Sequence, residues 1–229
     1  MRIPLFNLGA SAYDLLTGQR YWRAHIARFL DFLPPSANRI RVLDLGCGPG
    51  VSTFVLASKL GPEASLVGID LAPRMIARAR RHHERRFPDL TNVRFERADA
   101  TELPFDDESF DLAVGHSFLY LVSDRKAVLR EVHRVMAKRG TLVLMEPNKR
   151  ASLPRVLGEG MRRWPIALRN PLDTGRFISS MIGWRMASTT AGHMTSAELE
   201  RAFEQAGFED VSCQPTLAGL GLHCVGRVV

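Results

Sequence analysis

VLDLGCGPG, residues 42–50, is the segment that decides the fold of this 229-residue chain. An apolar run of β-strand composition ends here, and three glycines follow at alternate positions, Gly46, Gly48 and Gly50. Glycine adopts positive φ angles at little cost and carries no side chain, so a ligand can pack directly on the main chain. Residues 51–60 then show the apolar spacing of a helix, whose first N–H groups face the same turn. The segment therefore predicts a strand, a turn and a helix that together bind a small molecule.

The spacing of these glycines separates two classes of ligand. A dinucleotide site has the pattern GxGxxG, with a pyrophosphate at the N-terminus of the following helix. Here the pattern is GxGxG, and Asp44 precedes it. A carboxylate beside the turn suits a ligand with a cationic amino group better than it suits a pyrophosphate. The pattern thus favours S-adenosylmethionine over NAD.

Further segments follow the glycine turn in a fixed order, and together they resemble the class I S-adenosylmethionine-dependent methyltransferases. GIDLAPRMIARAR contains the end of the second predicted strand, Ser65–Ile69, and ADATELPFDDESFD follows the third, Val93–Arg97. HSFLYLVSD follows the fourth predicted strand, Phe110–Gly115, and TSAELERAFEQAGFEDV begins at Thr195. The resemblance implies a Rossmann-like α/β fold. Its seven-stranded sheet is mostly parallel, with an antiparallel C-terminal strand and flanking helices.

The resemblance also implies which residues contact the cofactor. Asp70 would bind the ribose hydroxyls, Asp99 would accept from the adenine amino group, and the N–H of Ala100 would approach the ring. Tyr13, in SAYDLL, is similar to an element that related enzymes place over the sulfonium, where a cation–π attraction of about 0.5–2 kcal/mol is available. The other residues implied to contact the cofactor are Asp44, Gly46, Cys47, Gly48, Gly50, Leu71, Met75, Thr101 and His116.

Few catalytic residues are expected, because positive sulfur already activates the methyl group and the enzyme mainly orients the acceptor. His116 directly follows the fourth predicted strand, so it is a candidate general base, or else a structural histidine near the cofactor. Tyr120 is a weaker candidate. The chain lacks, after that strand, the Asn/Asp-Pro-Pro-aromatic motif and the acidic metal-binding cluster of related enzymes. The resemblance therefore favours a metal-free transfer to a small, hydrophobic acceptor of quinone, lipid or natural-product type.

The predicted organisation is a single domain with two additions. Residues 1–37 form an N-terminal helical cap, and residues 38–149 and 193–229 form the methyltransferase-like core. Residues 150–192, rich in arginine and aromatic side chains, are interpreted as an inserted helical lid that covers the substrate. Two other interpretations of this insertion stay open: an extra helical layer packed on the core, or an element that rests on a membrane surface.

Composition and charge limit the partners. The net charge is +7, and residues 74–86 alone carry six arginines against Glu84. A solvated helix face explains this run better than nucleic-acid binding does, because no aromatic residue interleaves the arginines. There is no apolar run long enough to span a membrane and no signal peptide. The three cysteines, Cys47, Cys213 and Cys224, predict neither a metal site nor a disulfide framework, so the expected location is cytoplasmic.

Two other functions remain open from the sequence. An NAD-dependent oxidoreductase also has an acidic residue after its second strand, but the glycine spacing and the Asp99 segment argue against it. A methyltransferase-like binding subunit without turnover would keep the same cofactor residues. A small-molecule acceptor is the expected partner, and the sequence does not determine the oligomeric state.

Overall fold

The computed structural model describes residues 20–33, 39–151 and 192–229, together with Gly175 and Ser179. The proposed lid, apart from its ends and those two residues, lies outside the described residues, as does Tyr13. The helices are α1 (Arg20–Ala27), α2 (Val51–Leu60), α3 (Pro73–Arg86), α4 (Arg125–Val135) and α5 (Ser196–Gln205), with short 3₁₀ segments at Arg28–Phe32, Leu119–Leu121 and Leu217–Gly219. The strands are β1 (Arg41–Leu45), β2 (Ser65–Asp70), β3 (Val93–Arg97), β4 (Phe110–His116), β5 (Met136–Pro147), β6 (Glu209–Thr216) and β7 (Gly221–Arg227).

The seven strands form one sheet in the order β3-β2-β1-β4-β5-β7-β6. The first five strands of that order are parallel, while β7 runs antiparallel to both of its neighbours, β5 and β6. This confirms the predicted fold class. Because the parallel strands all end at one edge, called here the carboxyl edge, the loops that follow them meet there.

Apolar side chains on both faces of the sheet explain the layered arrangement. β1 is buried along most of its length because its side chains alternate between two cores. One core contains residues of α1, α2 and α3, and the other contains residues of α4 and α5. A strand buried on both faces reads as a continuous apolar run, as VLDL does.

Local signals at the helix ends are confirmed. Pro73 occupies the first turn of α3, and Asp124 caps α4 by accepting from the N–H of Ala127 at 2.9 Å. The spacing of Thr195 and Glu198 predicts a capping box, and the two residues form one at the start of α5. Gly207, just beyond this helix, has a φ of 98°. Glycine is favoured directly after a helix because it adopts such positive φ angles at little cost. The position of Gly207 in the sequence therefore marks the C-terminus of α5.

β5 begins earlier than predicted. The apolar run Thr141–Met145 predicts a fifth strand, and the structure extends this strand from Met136 to Pro147. The preceding residues join the sheet because Met136 pairs with Phe110 of β4 and the N–H of Arg139 donates to the carbonyl of Val228. A register shift in the pairing with β4 accommodates the added residues. No local sequence signal marks such long-range pairing.

The cysteine prediction is wrong in one respect. Cys213 on β6 and Cys224 on β7 stand directly opposite each other and form a disulfide, with a Cα–Cα distance of 4.1 Å. An odd number of cysteines leaves one over, and that one is the buried Cys47. The pair is 11 residues apart in sequence and becomes adjacent only through the register of the β6–β7 hairpin.

Within the described ranges, no helix is both long enough and apolar enough to cross a bilayer.

Candidate active site

The glycine turn after β1 adopts the backbone that its sequence requires. Gly46, Gly48 and Gly50 have φ angles of 63°, 53° and 90°, all in the region that favours glycine. A Cβ on Gly46 would lie 2.5 Å from Cδ2 of Phe118, a contact that backbone movement would have to relieve. The turn is also tied to the next strand, because the N–H of Cys47 donates to the carbonyl of Ile69 at 2.9 Å. The main chain of the turn is therefore held against the end of β2.

Asp70, at the end of β2, links this turn to the start of α3. Its Oδ2 accepts from the N–H of Gly48 at 3.0 Å, and its Oδ1 accepts from the N–H of Ala72 at 2.8 Å. Burial raises the pKa of this carboxyl group, while the two backbone hydrogen bonds oppose that rise. Each carboxylate oxygen can accept a second hydrogen bond. Asp70 is thus pre-positioned to bind a pair of neighbouring hydroxyl groups.

Asp99 follows β3, the strand beside β2, and lines the same cavity. Its Oδ1 accepts from both the N–H and the hydroxyl of Thr101, at 3.0 and 2.8 Å. These bonds fix the carboxylate in an exposed loop and leave its other oxygen available to a donor such as an amino group. The adjacent Ala100 is buried. This arrangement suits the edge of a flat, amino-substituted ring.

A cavity of about 360 Å³ lies between these groups at the carboxyl edge, which is within the size range of small-molecule sites. It brings together eight of the predicted contact residues. They are Gly46, Gly48, Asp70, Leu71, Met75, Asp99, Ala100 and Thr101.

Three predicted contact residues near the turn lie beneath the cavity instead of lining it. Asp44 is only 1% exposed, and its Oδ2 accepts from the hydroxyls of Ser52 and Thr53, both at 2.6 Å. Its Oδ1 is buried without a hydrogen-bond partner, and burial raises the pKa of the group to about 6. Cys47 packs into the core on the α1–α3 face, where burial raises the pKa of its thiol. Gly50 serves as the N-cap residue of α2.

The loop after β4 forms a wall of the cavity that sequence reasoning missed. The residues that line the cavity and were not predicted are Ile69, Ala72, Ala98, Ser117, Phe118, Leu121, Val122, Ser123 and Asp124. The topology of the sheet could have identified this loop, because loops that follow parallel strands meet at the carboxyl edge. Ser117 has a φ of 57°, an uncommon angle for a residue with a side chain. The chain therefore turns sharply as it leaves β4.

Glu146, near the end of β5, holds that loop. Its Oε1 accepts from the N–H groups of Phe118 and Leu119 at 3.0 and 2.8 Å, and its Oε2 accepts from that of Tyr120 at 3.0 Å. The side chain is 1% exposed, and burial raises its pKa to about 7 against the effect of these three bonds. Because Phe118 both lines the cavity and packs on Gly46, the carboxylate of Glu146 fixes the wall of the site.

The two catalytic candidates lie beside the cavity. His116 ends β4 and is 7% exposed, and its ring packs against Trp22 and Phe29 under α1. Burial lowers its pKa to about 3, and the neighbouring His25 and His223 lower it further, so the ring is neutral at pH 7. Tyr120 is buried, with its ring 6.2 Å from that of His193. Neither residue is among those that line the cavity.

Residues 36–207 match the family model described as a methyltransferase domain. This match covers most of the chain. The chain belongs to the class I S-adenosylmethionine-dependent methyltransferases. The methyltransferase prediction is thereby confirmed over the NAD-dependent alternative, and S-adenosylmethionine is the cofactor of the family.

Two relatives indicate where in the family this methyltransferase lies. It is 30% identical to a demethylmenaquinone methyltransferase of Thermotoga maritima, over 98% of this chain and 95% of that protein. It is 28% identical to an arsenite methyltransferase of Halobacterium salinarum, over 76% of this chain but only 38% of the relative. Both relatives act on small molecules by name.

Solved structures agree on the fold. A methyltransferase of Methanosarcina mazei is 26% identical, with a TM-score of 0.58, and the match covers 86% of this chain and 98% of that one. The [4+2]-cyclase SpnF has a TM-score of 0.70 over 98% of this chain and 94% of its own, at 18% identity. At that identity the second likeness shows the fold alone.

Proposed function

We propose that this methyltransferase transfers the methyl group of S-adenosylmethionine to a small, uncharged and largely apolar acceptor. The observation that carries the proposal is the cavity at the carboxyl edge, which Asp70, Asp99 and the glycine turn line together. Similarity over nearly the full length of a demethylmenaquinone methyltransferase supports an acceptor of quinone-precursor type. The matched segment of the arsenite enzyme is a smaller part of that protein, so it supports the arsenic acceptor less.

The residues present fit the cofactor. The free lone pairs of Asp70 suit the two ribose hydroxyls, and the free oxygen of Asp99 suits the adenine amino group. The buried Oδ1 of Asp44, two residues before Gly46, has no partner among the described residues and suits the cationic amino group, directly or through a water molecule. Burial raises the pKa of Asp44 to about 6, so a nearby cation would favour its ionised form.

Bound S-adenosylmethionine supplies a methyl group on positive sulfur: the S–CH₃ bond breaks as the acceptor–CH₃ bond forms, S-adenosylhomocysteine leaves, and the acceptor loses its proton. The chain contributes orientation, which can account for roughly 7–11 kcal/mol of the barrier. Glu146 holds the loop that carries Phe118, and this aromatic side chain closes the cavity beside Gly46. The fixed loop forms one wall of the cavity and so restricts where an acceptor can lie.

The role of His116 as general base stays a prediction. A general base works best when its pKa lies near the operating pH, and burial lowers the pKa of His116 to about 3. The neutral ring is better suited to accept a hydrogen bond than to hold a proton. The contribution of Tyr120, the placement of Tyr13 over the sulfonium, the lid at residues 150–192 and its contact with a membrane surface also stay predictions, as does a cytoplasmic location.

Transfer of a labelled methyl group tests the proposed function. Purified protein would be incubated with S-adenosylmethionine labelled in its methyl group and, in separate reactions, with 1,4-dihydroxynaphthalene carrying a short prenyl chain, with arsenite and with phosphoethanolamine. We expect label in the naphthalene product alone. Label in arsenite or phosphoethanolamine but not in the naphthalene would contradict the proposed acceptor, and no transfer to any acceptor would contradict turnover.

A further inference from the structure

Three histidines from distant parts of the chain meet under α1, and we call them the histidine cluster: His25, His116 and His223. His25 lies on α1, His116 ends β4, and His223 lies on β7. The rings of His25 and His223 are 6.3 Å apart between centroids. Phe29 contacts the other two members, at 6.2 Å from His116 and 5.6 Å from His223. The cluster is therefore surrounded by aromatic side chains.

Two of these rings bury a nitrogen atom that has no partner. Within residues 20–33, 39–151 and 192–229, Nε2 of His116 and Nε2 of His223 are both inaccessible to solvent and find no hydrogen-bond partner. The residues themselves are 7% and 3% exposed. An unpaired buried polar atom costs about 1–3 kcal/mol, and nearly all such atoms in native proteins are paired. Two such unpaired atoms in one cluster lower the stability of the fold, and a core made of apolar side chains would not have this cost.

The cluster is electrically neutral. Burial lowers the pKa of His116 to about 3 and that of His25 and His223 to about 4. The positive charge of Arg28 and the mutual proximity of the histidines lower these values further. Glu146, the nearby buried carboxylate, already accepts three backbone N–H groups. In the part of the chain that the structure describes, no three such side chains converge as metal ligands. A ligand of the cluster would thus be an uncharged molecule.

The hydrogen bonding of His116 indicates which group would bind it. A neutral imidazole carries one lone pair, and Nε2 of His116, which has no hydrogen-bond partner among the described residues, can present that lone pair to a ligand. The group that would bind this lone pair is an O–H or N–H donor. The aromatic surroundings, Trp22 at 5.2 Å and Phe29, suit a ring that bears such a donor.

The position of the cluster connects it with the cofactor cavity. Ser117, the residue after His116, lines that cavity. His223 pairs with Met145 across the β5–β7 ladder, near the carboxyl edge. A molecule held by the two histidines would therefore lie at the same edge of the sheet as the methyl donor.

We propose that His116 and His223 form an acceptor-binding site for an uncharged, hydroxylated aromatic molecule, with Nε2 of His116 accepting from a hydroxyl group. His223 binds a second oxygen of the same molecule. This assignment rests on the proposed function for its biological meaning, but the binding can be measured without turnover.

The test is a binding experiment on the wild-type chain, saturated with S-adenosylhomocysteine and kept under argon. Histidine would be labelled with ¹³C at Cε1, and the signals of His116 and His223 would be assigned from single substitutions. The probes are 1,4-dihydroxynaphthalene and 1,4-dimethoxynaphthalene, which differ in hydroxyl donors. We expect the dihydroxy probe to shift both signals and the dimethoxy probe to bind at least tenfold more weakly. Unshifted signals, or equal binding of the two probes, would overturn the assignment.

Substitution separates this role from a structural one. His116→Leu and His223→Leu each remove an unpaired buried nitrogen, so we expect a higher Tm, at least tenfold weaker binding of the dihydroxy probe and unchanged affinity for S-adenosylhomocysteine. His133→Gln, on α4 and outside the cluster, is the control and should bind the probe as the wild type does. Probe binding unaffected by both leucine variants would overturn the assignment. If a leucine variant fails to fold, His116→Gln and His223→Gln supply the assignment, and the wild-type spectra then decide.

Failure of the two proposals is distinguishable. Shifted histidine signals without methyl transfer to any acceptor would support this binding site and contradict the proposed function. Methyl transfer to the naphthalene acceptor without shifted signals would support the proposed function and overturn the binding site.

Discussion

The cofactor cavity and the histidine cluster lie at the same edge of the sheet, yet they satisfy their polar groups in opposite ways. In the cavity, Asp70 and Asp99 are each fixed by main-chain N–H groups and keep further acceptor capacity for a ligand. In the cluster, Nε2 of His116 and of His223 has no partner among the described residues. The cavity is thus pre-formed at little cost, whereas the cluster carries a cost that a bound hydrogen-bond donor would relieve.

Removing the carboxylate of Glu146 should disrupt the wall of the cofactor cavity, and we expect this substitution to cause the largest loss of stability. Glu146→Ala leaves the N–H groups of Phe118, Leu119 and Tyr120 without their acceptor. At about 1–3 kcal/mol for each buried group, we expect the free energy of unfolding to fall by about 3 kcal/mol or more, measured by urea denaturation at pH 8. Glu146→Gln keeps one acceptor oxygen and should lose less. A loss below about 1 kcal/mol for the alanine variant would contradict the role of this carboxylate.

Lowering the pH should reduce the free energy of unfolding through the histidine cluster. The pKa values of its histidines are lowered below 6.5, so the unfolded chain takes up protons first and their contribution to stability falls as pH drops below 6.5. Asp44 and Glu146, with pKa values raised to about 6 and 7, act in the opposite direction over the same range. A His116→Leu/His223→Leu double variant isolates the histidines.

Between pH 6.5 and pH 5 we expect the wild type to lose about 3 kcal/mol more stability than the double variant, because each of the two histidines contributes up to about 1.4 kcal/mol per pH unit and is already half protonated at pH 6.5 in the unfolded chain. Urea denaturation at both pH values measures the difference. Equal losses in the two proteins would show that the buried histidines are not held neutral.

Removing the carboxylate of Asp99 should have a smaller effect, which is confined to binding in the cofactor cavity. Asp99→Ala removes one acceptor at an exposed position, so we expect the Kd for S-adenosylhomocysteine to rise about fivefold to tenfold, near 1 kcal/mol. Asp106→Ala is the matched control, since Asp106 is exposed on the same connection but does not line the cavity. Calorimetry on both variants checks this. Similar affinities for the two variants would remove Asp99 from the site.

The smallest expected effect concerns the disulfide between Cys213 and Cys224, which a count of free thiols tests. Cys224 follows His223 on β7, so its disulfide with Cys213 fixes the strand that carries part of the cluster. Alkylation of the denatured, unreduced protein should modify Cys47 alone, and alkylation after reduction should modify all three cysteines, as read by mass spectrometry. Three adducts without reductant would show that the pair is open in the isolated protein.

The cavity could be predicted from sequence, while the cluster could not, for a physical reason. The glycine turn, Asp70 and Asp99 each follow a strand directly, so short local patterns mark them. His25, His116 and His223 are separated by about 90 and 107 residues, and only the β5–β7 pairing and the packing of α1 bring them together. The same long-range pairing explains why β5 begins at Met136 and why Cys213 faces Cys224. Register between distant strands leaves no local signal.

Calorimetric titration with S-adenosylhomocysteine tests the cofactor site most directly. Asp70→Asn preserves the size of the side chain but presents an NH₂ group where Oδ2 now accepts from Gly48. We expect saturable binding with one site per chain for the wild type and for Asp106→Asn, and at least tenfold weaker binding for Asp70→Asn. No saturable binding by the folded wild type, or unchanged affinity in Asp70→Asn, would contradict it.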